Sequence, residues 1–594
     1  MLKLYGYTGK VLSIDLTHEK ISTISLKEDT LRKFLGGKGL AIYLLLKYLP
    51  LKLDALDPDN VIVLSTGPLT GVLPFSNQLI VASKSPLTGS FAWSRSGGKF
   101  PQMIKRSGFD AILIKGRSET PVYLWIDDGE VEFRKAIHLW GKDTYSCSKK
   151  LLQETRKEAA ISVIGPAGEL LVRFASIKND LYFTAGRGGI GAVYGAKKLK
   201  GVAIYGTKPI RVAYPERVKN TLIIKYYKFL THRKDDIRKI GGLERVVDLN
   251  RIGATSVKNF QLTHHQGAEG LIRDLCKLSA FRKGCDECPV ECFRFARVNG
   301  MEVKLHPEAV AMLGLNLELF QAEDLLKLLF LAEKYGVDAI SAGNIIGWAT
   351  EVYERGLLSR EFTGELELRY GDCKVFYKLL NFLSERRGFG AVLAEGLVKA
   401  AKIVGKNSLK YAVHVGGLES SCIDPRGRAK YALGYAVTDV VYSCLDFHFK
   451  ETPQEQCVVE AVIDEVNRLN ISNSLVICPH LNVGASEVVE MLKYVTGWED
   501  VAERDLTAIA ERVETAVRMF NIREKLTSDQ ELLPPRWLEE AIPSGPSKGA
   551  KINLEDLQYC ITHYYKLRGW DDRGVPLQET IEKLGLSEVY RQAW

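Results

Sequence analysis

Three cysteines near the middle of the chain have a spacing that indicates chemistry. Cys285, Cys288 and Cys292 are arranged as C-x2-C-x3-C, with a proline after the second cysteine. Such close spacing allows one loop to direct three thiolates at a single inorganic core. A compact run of three cysteines, completed by a fourth from elsewhere in the chain, is a familiar way to hold a four-iron cluster. The pattern therefore favours an iron–sulfur cluster.

Zinc is an alternative for the same thiols. A structural zinc site usually takes its ligands as two C-x2-4-C pairs, or as a Cys pair together with an H-x3-5-H pair. The chain contains no second C-x2-C pair. A zinc loop and a chance grouping of buried cysteines both stay open on this evidence.

A second candidate for chemistry is Glu308, which follows His306-Pro307 and begins an apolar segment that ends at Leu313. A carboxylate in the first turn of a helix is favoured by the helix dipole, so a structural role also explains it. Three glycine-rich segments, at residues 67–71, 94–98 and 185–192, exceed what strand packing requires. Backbone N–H groups exposed by glycine, with Arg187 beside them, form a concavity suited to an anion.

The elements that must position these residues change character along the chain. Up to about residue 210, short β-branched and aromatic segments bounded by Gly, Pro, Asp or Ser predict strands. From about residue 215, apolar residues recur every three to four positions and predict helices. A turn near residue 410 suggests a further boundary. We therefore expect domains at 1–210, 211–410 and 411–594, the first rich in β structure and the others largely helical.

Composition narrows the class of protein. The 594 residues predict two to four domains, and the apolar fraction of 46% and charged fraction of 26% are those of a globular protein. No apolar run approaches the roughly 18–20 residues of a membrane span, and the first residues lack the apolar core of a signal peptide. The formal charge of +9 is small for this length, with basic and acidic residues interspersed. We expect a cytoplasmic protein that binds neither membrane nor nucleic acid.

Several short motifs, together with the cysteine loop and the lone downstream Cys478, resemble the tungsten-containing aldehyde ferredoxin oxidoreductase family. The resemblance covers nearly the whole chain in the same order. Its motifs are Gly-Pro-Leu-Thr-Gly at 67–71, Lys-Ser-Pro-Leu-Thr-Gly at 84–89, Ser-Gly-Gly at 96–98, Gly-Pro-Ala-Gly at 165–168, Ala-Gly-Arg-Gly-Gly at 185–189, Asp-Pro-Arg-Gly at 424–427 and Tyr-Tyr-Lys-Leu-Arg-Gly-Trp at 564–570.

The resemblance implies a fold and a set of cofactors. The fold is α+β, with an N-terminal domain of two β sheets as the cofactor-binding base, followed by two largely helical domains. One tungsten or molybdenum atom is held by two pterins, whose phosphates are bridged by Mg²⁺. A [4Fe-4S] cluster lies nearby and passes electrons to ferredoxin. The cluster ligands implied here are Cys285, Cys288, Cys292 and Cys478.

In the family each pterin is held by a D-x-x-G-L-D or D-x-x-G-L-C motif, which supplies acceptors for pterin N–H groups and a glycine for close approach. The first copy in this chain, residues 333–338, has Glu for the first Asp. The second copy, residues 473–478, has Asn for the Asp and Val476 for the Gly. The pterin-binding residues implied by the two copies are Glu333, Gly336, Val337, Asp338, Asn473 and Ile477.

Other expected cofactor contacts depart from the family pattern. Gln78 and Phe183 stand where the family has arginines, and Arg95 stands where it has asparagine, which could restore a positive charge. The Mg²⁺-binding carbonyl is expected from Thr184. The cofactor-binding residues implied by the glycine-rich motifs are Arg95, Ser96, Gly97, Thr184, Gly186 and Arg187.

The resemblance also implies catalytic residues and an activity. Glu308 matches a glutamate near the metal, and the family's active-site histidine aligns with Cys444, with His448 four residues on. The E-x-x-H pair that some members use for an interface iron is Lys327 and Phe330, so a bridging iron is not expected. We expect a small aldehyde to be oxidised to a carboxylic acid, with ferredoxin as electron acceptor.

Two alternatives to this activity stay open. A divergent member could keep the cluster but bind the pterin metal differently or not at all, and act as an electron carrier or as a subunit of a larger redox complex. A zinc-stapled scaffold with a basic binding surface is the non-redox alternative. Dimerisation is also open.

Overall fold

The computed structural model describes residues 4–240, 242–438, 458–481, 483–524 and 533–588. Two six-stranded sheets are built from the first part of the chain. The first has the order β2-β1-β6-β3-β4-β5 and the second β11-β10-β9-β12-β7-β8. Their strands are β1 Lys10–Asp15, β2 Lys20–Ser25, β3 Ile62–Ser65, β4 Leu79–Lys84, β5 Phe91–Ser96, β6 Ala111–Lys115, β7 Val122–Asp127, β8 Glu130–Lys135, β9 Ala160–Ile164, β10 Ile177–Asn179, β11 Phe183–Ala185 and β12 Leu199–Tyr205.

Each sheet is mainly antiparallel, with one parallel pair: β1 with β6 in the first sheet, and β7 with β12 in the second. β3 and β4 are buried along their whole length, as their continuous runs of apolar and small residues require. The edge strands β5 and β11 are both followed by glycine-rich turns, and these turns reach the same cavity.

Six helices also lie in this part of the chain, where the sequence predicted mostly strands and turns. Helix α2 is the longest of them, and its first residues, Gly37-Lys-Gly39, contain no residue that favours a helix start. These helices are α1 Glu28–Phe34, α2 Gly37–Tyr48, α3 Phe100–Ser107, α4 Thr144–Glu154, α5 Pro166–Glu169 and α6 Ile190–Ala196.

The rest of the described chain is mainly helical, which confirms the predicted change in periodicity. The helices are α7 Pro215–Arg217, α8 Ile224–His232, α9 Lys234–Ile240, α10 Glu244–Arg251, α11 Ala268–Leu278, α12 Pro307–Leu313, α13 Ala322–Tyr335, α14 Ala339–Glu354, α15 Cys373–Ser384, α16 Phe389–Leu393, α17 Leu397–Val404, α18 Ala429–Val437, α19 Val458–Leu475, α20 Ala485–Thr496, α21 Glu503–Arg523, α22 Pro535–Glu539, α23 Leu554–Arg568 and α24 Gln578–Lys583.

A small sheet interrupts the helices and was not predicted. It has the order β13-β14-β15, with strands β13 Ser279–Lys283, β14 Phe293–Val298 and β15 Met301–Lys304. The cysteine loop connects β13 to β14, so Lys283 pairs with Phe293 at its base. A two-stranded ribbon, β16 His414–Val415 and β17 Leu418–Glu419, lies further along.

Buried side chains from both sheets and from the helices form one continuous hydrophobic core. A smaller cluster lies between the second sheet and α4 and includes Tyr123, Trp125 and Leu151. In the part of the chain that the structure describes, no helix has the length and apolar character needed to cross a bilayer. The division into three domains stays a prediction.

Candidate active site and metal centre

A cavity of about 230 Å³ lies where the ends of β5 and β11 meet the helical part of the chain. Residues from widely separated segments line it, because the glycine-rich turns, the cysteine loop and the ends of α13 and α19 all reach it. The predicted site residues on its wall are Arg95, Ser96, Gly97, Thr184, Gly186, Arg187, Cys285, Cys288, Cys292, Glu308, Glu333, Val337, Asp338 and Cys478.

The cysteine loop is fixed to its surroundings by hydrogen bonds to its backbone. Asn77 Nδ2 donates to the carbonyl oxygen of Asp286 at 2.9 Å, and Arg238 Nε donates to that of Val290 at 2.7 Å. A Cβ on Gly97 would come within 2.6 Å of Cys285 Sγ, so a side chain larger than hydrogen at residue 97 would displace this thiol. The loop can therefore hold its thiols in place before any ligand binds.

The fourth thiol reaches the same cavity from the end of α19. The backbone N–H of Cys478 donates to the carbonyl oxygen of Phe75 at 2.9 Å, which ties this segment to the first β region. Among the described residues, no three His, Cys, Asp or Glu side chains are grouped closely enough to hold a single metal ion. The four thiols are instead distributed around the cavity wall.

Burial raises the pKa of all four thiols. Burial together with the charge of Cys285 raises the pKa of Cys288 to about 11, and burial with Cys285 and Cys288 raises that of Cys292 to about 12. The pKa of Cys478 is raised well above its ordinary value by burial and then by Cys292, Cys285 and Cys288. The four thiols share one cavity wall, and buried thiols with raised pKa values need a cation to become thiolates.

The first motif copy is held by ion pairs. Asp338 caps α14 by accepting from the N–H groups of Ile340 and Ser341, and its Oδ2 lies 2.9 Å from Arg187 Nη1. Burial alone would lower the pKa of Arg187, but Asp338 and Glu419 raise it above its ordinary value. Glu333, in the last turn of α13, pairs with Lys178 of β10. Both carboxylates of this copy are thus oriented by cations.

Gly336 ends α13 with φ +72°, and its neighbour Gly165 approaches so closely that a Cβ there would lie 2.3 Å from the carbonyl oxygen of Tyr335. The glycine of the motif is therefore required by the backbone turn and by the close approach of Gly165, whereas the sequence analysis assigned it to close approach of a pterin. Gly336 does not itself line the cavity, which is lined here by Val337 and Asp338.

The second copy differs in its contacts. Asn473 is fully buried in α19 and accepts a hydrogen bond from Arg95 Nη1 at 2.9 Å. Val476 adopts φ +54°, which a β-branched residue rarely does. Asn473 and Ile477 lie behind the cavity wall and Cys478 is on it. A polar bond to Arg95 thus replaces the ion pairs of the first copy.

Polar atoms without partners indicate that the cavity fits a polar cofactor. Within the described residues, Gln78 Oε1, Thr184 Oγ1 and Asn473 Nδ2 are buried and lack a hydrogen-bond partner. Gln78 and Thr184 line the cavity. Buried polar atoms are normally satisfied, so the free atoms of Gln78 and Thr184 are available to a ligand or to ordered water in the cavity. The donor set as a whole fits a thiolate-bound cluster beside a pterin with anionic phosphates.

Glu308 is placed in the cavity by the small sheet and the helix that follows it. The chain leaves β15 at Lys304 and starts α12 at Pro307, so Glu308 occupies the first turn of this helix. The residue is only 2% exposed, and Ser421 Oγ donates to its Oε1 at 2.9 Å. Cys444 and His448, the other predicted catalytic residues, lie outside the described residues.

Three basic residues on the cavity wall were not predicted as site residues. They are Lys304, His306 and His480. Burial lowers the pKa of Lys304 to about 8, and burial together with Lys304, His480 and Arg95 lowers the pKa of His306 to about 3. Their proximity arises from the tertiary fold. The sequence signal was only that Lys304 and His306 shortly precede Glu308 and that His480 shortly follows Cys478.

Comparison with known proteins identifies the family. Residues 11–206 match the family model for the N-terminal domain of aldehyde ferredoxin oxidoreductase, and residues 222–586 match that for its domains 2 and 3. The chain belongs to the aldehyde ferredoxin oxidoreductase family. It is therefore an oxidoreductase, as the sequence motifs predicted.

Two relatives from Pyrococcus furiosus match this family member over almost its whole length. A tungsten-containing aldehyde ferredoxin oxidoreductase of Pyrococcus furiosus is 33% identical, over 99% of this chain and 100% of the relative. An aliphatic sulfonate oxidoreductase, WOR-like subunit, of the same organism is 32% identical, over 99% of this chain and 98% of the relative.

The fold of this family member is also found in a solved structure. The active-site complex BamBC of benzoyl coenzyme A reductase, bound to 1,5-dienoyl-CoA, has a TM-score of 0.87 at 24% identity, covering 99% of this chain and 98% of that chain. At that identity the likeness shows the fold alone.

Proposed function

We propose that the chain oxidises an aldehyde to a carboxylic acid, with water as the source of oxygen, and releases two protons and two electrons. The electrons pass one at a time to a ferredoxin. The observation that carries this proposal is that four thiols and the buried carboxylate of Glu308 face one cavity, beside two glycine-rich turns. The names of the Pyrococcus relatives support tungsten, an aldehyde substrate and ferredoxin.

The cavity residues divide between two groups of ligands. Cys285, Cys288, Cys292 and Cys478 would hold a [4Fe-4S] cluster. The two motif copies and the turns that follow β5 and β11 would hold two pterins and their Mg²⁺-bridged phosphates, with the Thr184 carbonyl as a Mg²⁺ ligand. Arg95 and Arg187 suit phosphate or pterin oxygen because guanidinium groups donate several hydrogen bonds in fixed geometry.

When bound, a pterin-held tungsten or molybdenum atom would exchange two electrons with the substrate while the cluster takes one at a time. The protein's own contribution is to position water and substrate and to accept a proton. Glu308 suits this role because its carboxylate is buried, oriented by Ser421 and located in the first turn of α12. A carboxylate held from bulk water in this way can act as a general base or position a water molecule.

Aldehyde-dependent reduction of ferredoxin tests the proposal. Protein produced anaerobically with tungstate should reduce ferredoxin when a small aldehyde is added, and Glu308→Gln should lose at least about 100-fold in kcat because one general base typically contributes 10²–10⁴-fold. The variant should retain its iron and tungsten. A fully metallated protein that oxidises no aldehyde would contradict the proposed reaction.

A second candidate is that the chain works as the cofactor-bearing subunit of a larger redox complex. Ile224, Tyr227 and Phe229 are exposed on α8, whose buried Leu230 lines the cavity. Such apolar exposure close to an electron-transfer site suits a docking surface. Protein purified from its native cells should then carry a second iron–sulfur polypeptide in fixed stoichiometry; recovery of the chain alone would contradict this candidate.

A further inference from the structure

A lysine ammonium lies close to the proposed cluster ligands, on a part of the chain that the family motifs do not include. Lys304 is the last residue of β15, which pairs with β14, and β14 follows Cys292 directly. Its Nζ lies 3.5 Å from the centroid of the Phe293 ring and 5.6 Å from that of Phe183. The small sheet thus carries the ammonium to the wall that also holds the thiols.

The positive charge of Lys304 acts on the thiols of the proposed cluster site. Glu333 is the carboxylate whose charge acts most strongly on Lys304, and it is already paired with Lys178. In the described residues the recorded contacts of the Lys304 ammonium are with the two aromatic rings, and it forms no ion pair or hydrogen bond there. Among the four thiols, those of Cys292 and Cys285 feel its charge most directly.

The Lys304 ammonium also lies over the ring of Phe183, on the edge strand β11. The positive charge of β15 is therefore placed next to the second sheet at the cavity. Because the chain reaches Lys304 through the same hairpin that presents the cysteines, the cation and the thiols are held in fixed relation.

We propose that Lys304 is a positioning residue that stabilises the reduced form of the iron–sulfur cluster and so raises its reduction potential. This inference rests on the proposed cluster. Reduction adds one electron, and hence one negative charge, to a centre that four thiolates already make anionic. A positive charge held in the cavity wall favours that step, since cluster potentials depend on net charge and on the surrounding dielectric. The lysine exchanges no electron and acts through its positive charge.

Redox titration of the holoprotein tests the role of the charge. Unchanged protein, Lys304→Met, Lys304→Gln and Lys304→Arg are titrated with dithionite and mediators while the EPR signal of the reduced cluster is followed. The neutral variants should lose at least tenfold in the equilibrium constant for reduction, a fall of about 59 mV for one electron. Lys304→Arg should restore most of the difference because it keeps the charge.

Lys149→Met is the matched control. Lys149 also lies over an aromatic ring, that of Tyr145 at 4.2 Å, but it is exposed to solvent and does not line the cavity. Its removal should leave the potential unchanged because solvent screens exposed charges.

Iron content separates the possible failures. A neutral variant with full iron and an unchanged potential overturns the inference. Loss of iron from both neutral variants, with retention in Lys304→Arg, overturns it in favour of a purely structural role for the lysine. An unchanged chain that contains no iron overturns the proposed cluster itself, and this inference with it.

Discussion

The two copies of the pterin motif occupy equivalent places in the chain but are held by different interactions. The first copy begins in the last turn of α13, and its acids pair with Lys178 and Arg187. The second copy begins in the last turn of α19. There the uncharged amide oxygen of Asn473 accepts a hydrogen bond from Arg95. The residue at the left-handed turn is Gly336 in the first copy and Val476 in the second.

The comparison indicates that the two copies have different roles. In the first copy both acids are retained and oriented by charge, so its side chains suit recognition of a polar ring. In the second copy the residue corresponding to Asp338 is Cys478, which lines the cavity with the three thiols of the cysteine loop. A strained valine can be tolerated at this turn because Val476 is fully buried against the residues around Gly37 and Gly67.

The largest effect is expected from the end of the second copy. Cys478→Ser should lose most of its iron and its brown colour, because three thiols cannot complete a four-cysteine cluster site. Cys373→Ser is the control: Cys373 is also buried, but its Sγ contacts the carbonyl oxygen of Asp324 away from the cavity. Iron analysis of both variants checks this, and equal iron in the two would refute the assignment of Cys478.

The second-largest effect is expected from a change of Asp338, the acid at the end of the first copy. Asp338→Ala leaves Arg187 without its main partner and removes the cap of α14. Loss of one member of a buried pair costs about 3–5 kcal/mol. We expect a clear fall in the unfolding midpoint and in bound pterin.

Asn473→Ala provides the matching change in the second copy. It removes a single hydrogen bond to Arg95, worth about 1–3 kcal/mol because one partner is charged. Its midpoint should therefore fall by less than that of Asp338→Ala. A larger fall in the midpoint of Asn473→Ala than in that of Asp338→Ala would contradict the view that the first copy is held by the stronger interactions.

Exchange of the turn residues sharpens the comparison further. Gly336→Val places a β-branched residue at φ +72°, where its Cβ would lie 3.0 Å from the backbone nitrogen of Gly165. Backbone strain of this kind costs about 1–3 kcal/mol, and the close contact adds to it. The unfolding midpoint should fall; a variant as stable as the unchanged protein would show that the turn relaxes.

The smallest effect is expected from the reverse exchange. Val476→Gly relieves about 1–3 kcal/mol of strain but removes a buried side chain worth about 1.5–3 kcal/mol. Because the two contributions oppose each other, the net change should stay within about 2 kcal/mol. Chemical denaturation measures it, and a loss of more than about 3 kcal/mol would contradict the assignment of strain to this residue.

Local spacing explains what the sequence could predict. The spacing of the cysteine loop indicates metal binding, and the resemblance to the family implies the roles of the two motif copies and of the glycine-rich turns. Most of these residues do line the cavity. The change from strands to helices also follows from periodicity. Gly336, Asn473 and Ile477 do not line the cavity, whereas their neighbours Val337, Asp338 and Cys478 do.

What the sequence did not predict depends on tertiary structure. The strands β13 to β15 are short and flank a cysteine loop whose spacing indicates metal binding and carries no strand signal. Lys304 and His306 could not be recognised as site residues from the sequence. The small sheet brings them to the cavity that the thiols and Arg95 also line. Helix α2 begins with glycines that intrinsic propensity disfavours, and packing of its buried side chains stabilises it instead.

Metal analysis of the anaerobically purified protein, with its visible spectrum, is the most direct test of the central claim that these four thiols hold an iron–sulfur cluster beside a pterin-bound metal. The account predicts about four iron atoms per chain, a brown protein, and one tungsten or molybdenum atom. Zinc in place of iron, or a colourless chain without tungsten or molybdenum, would contradict it.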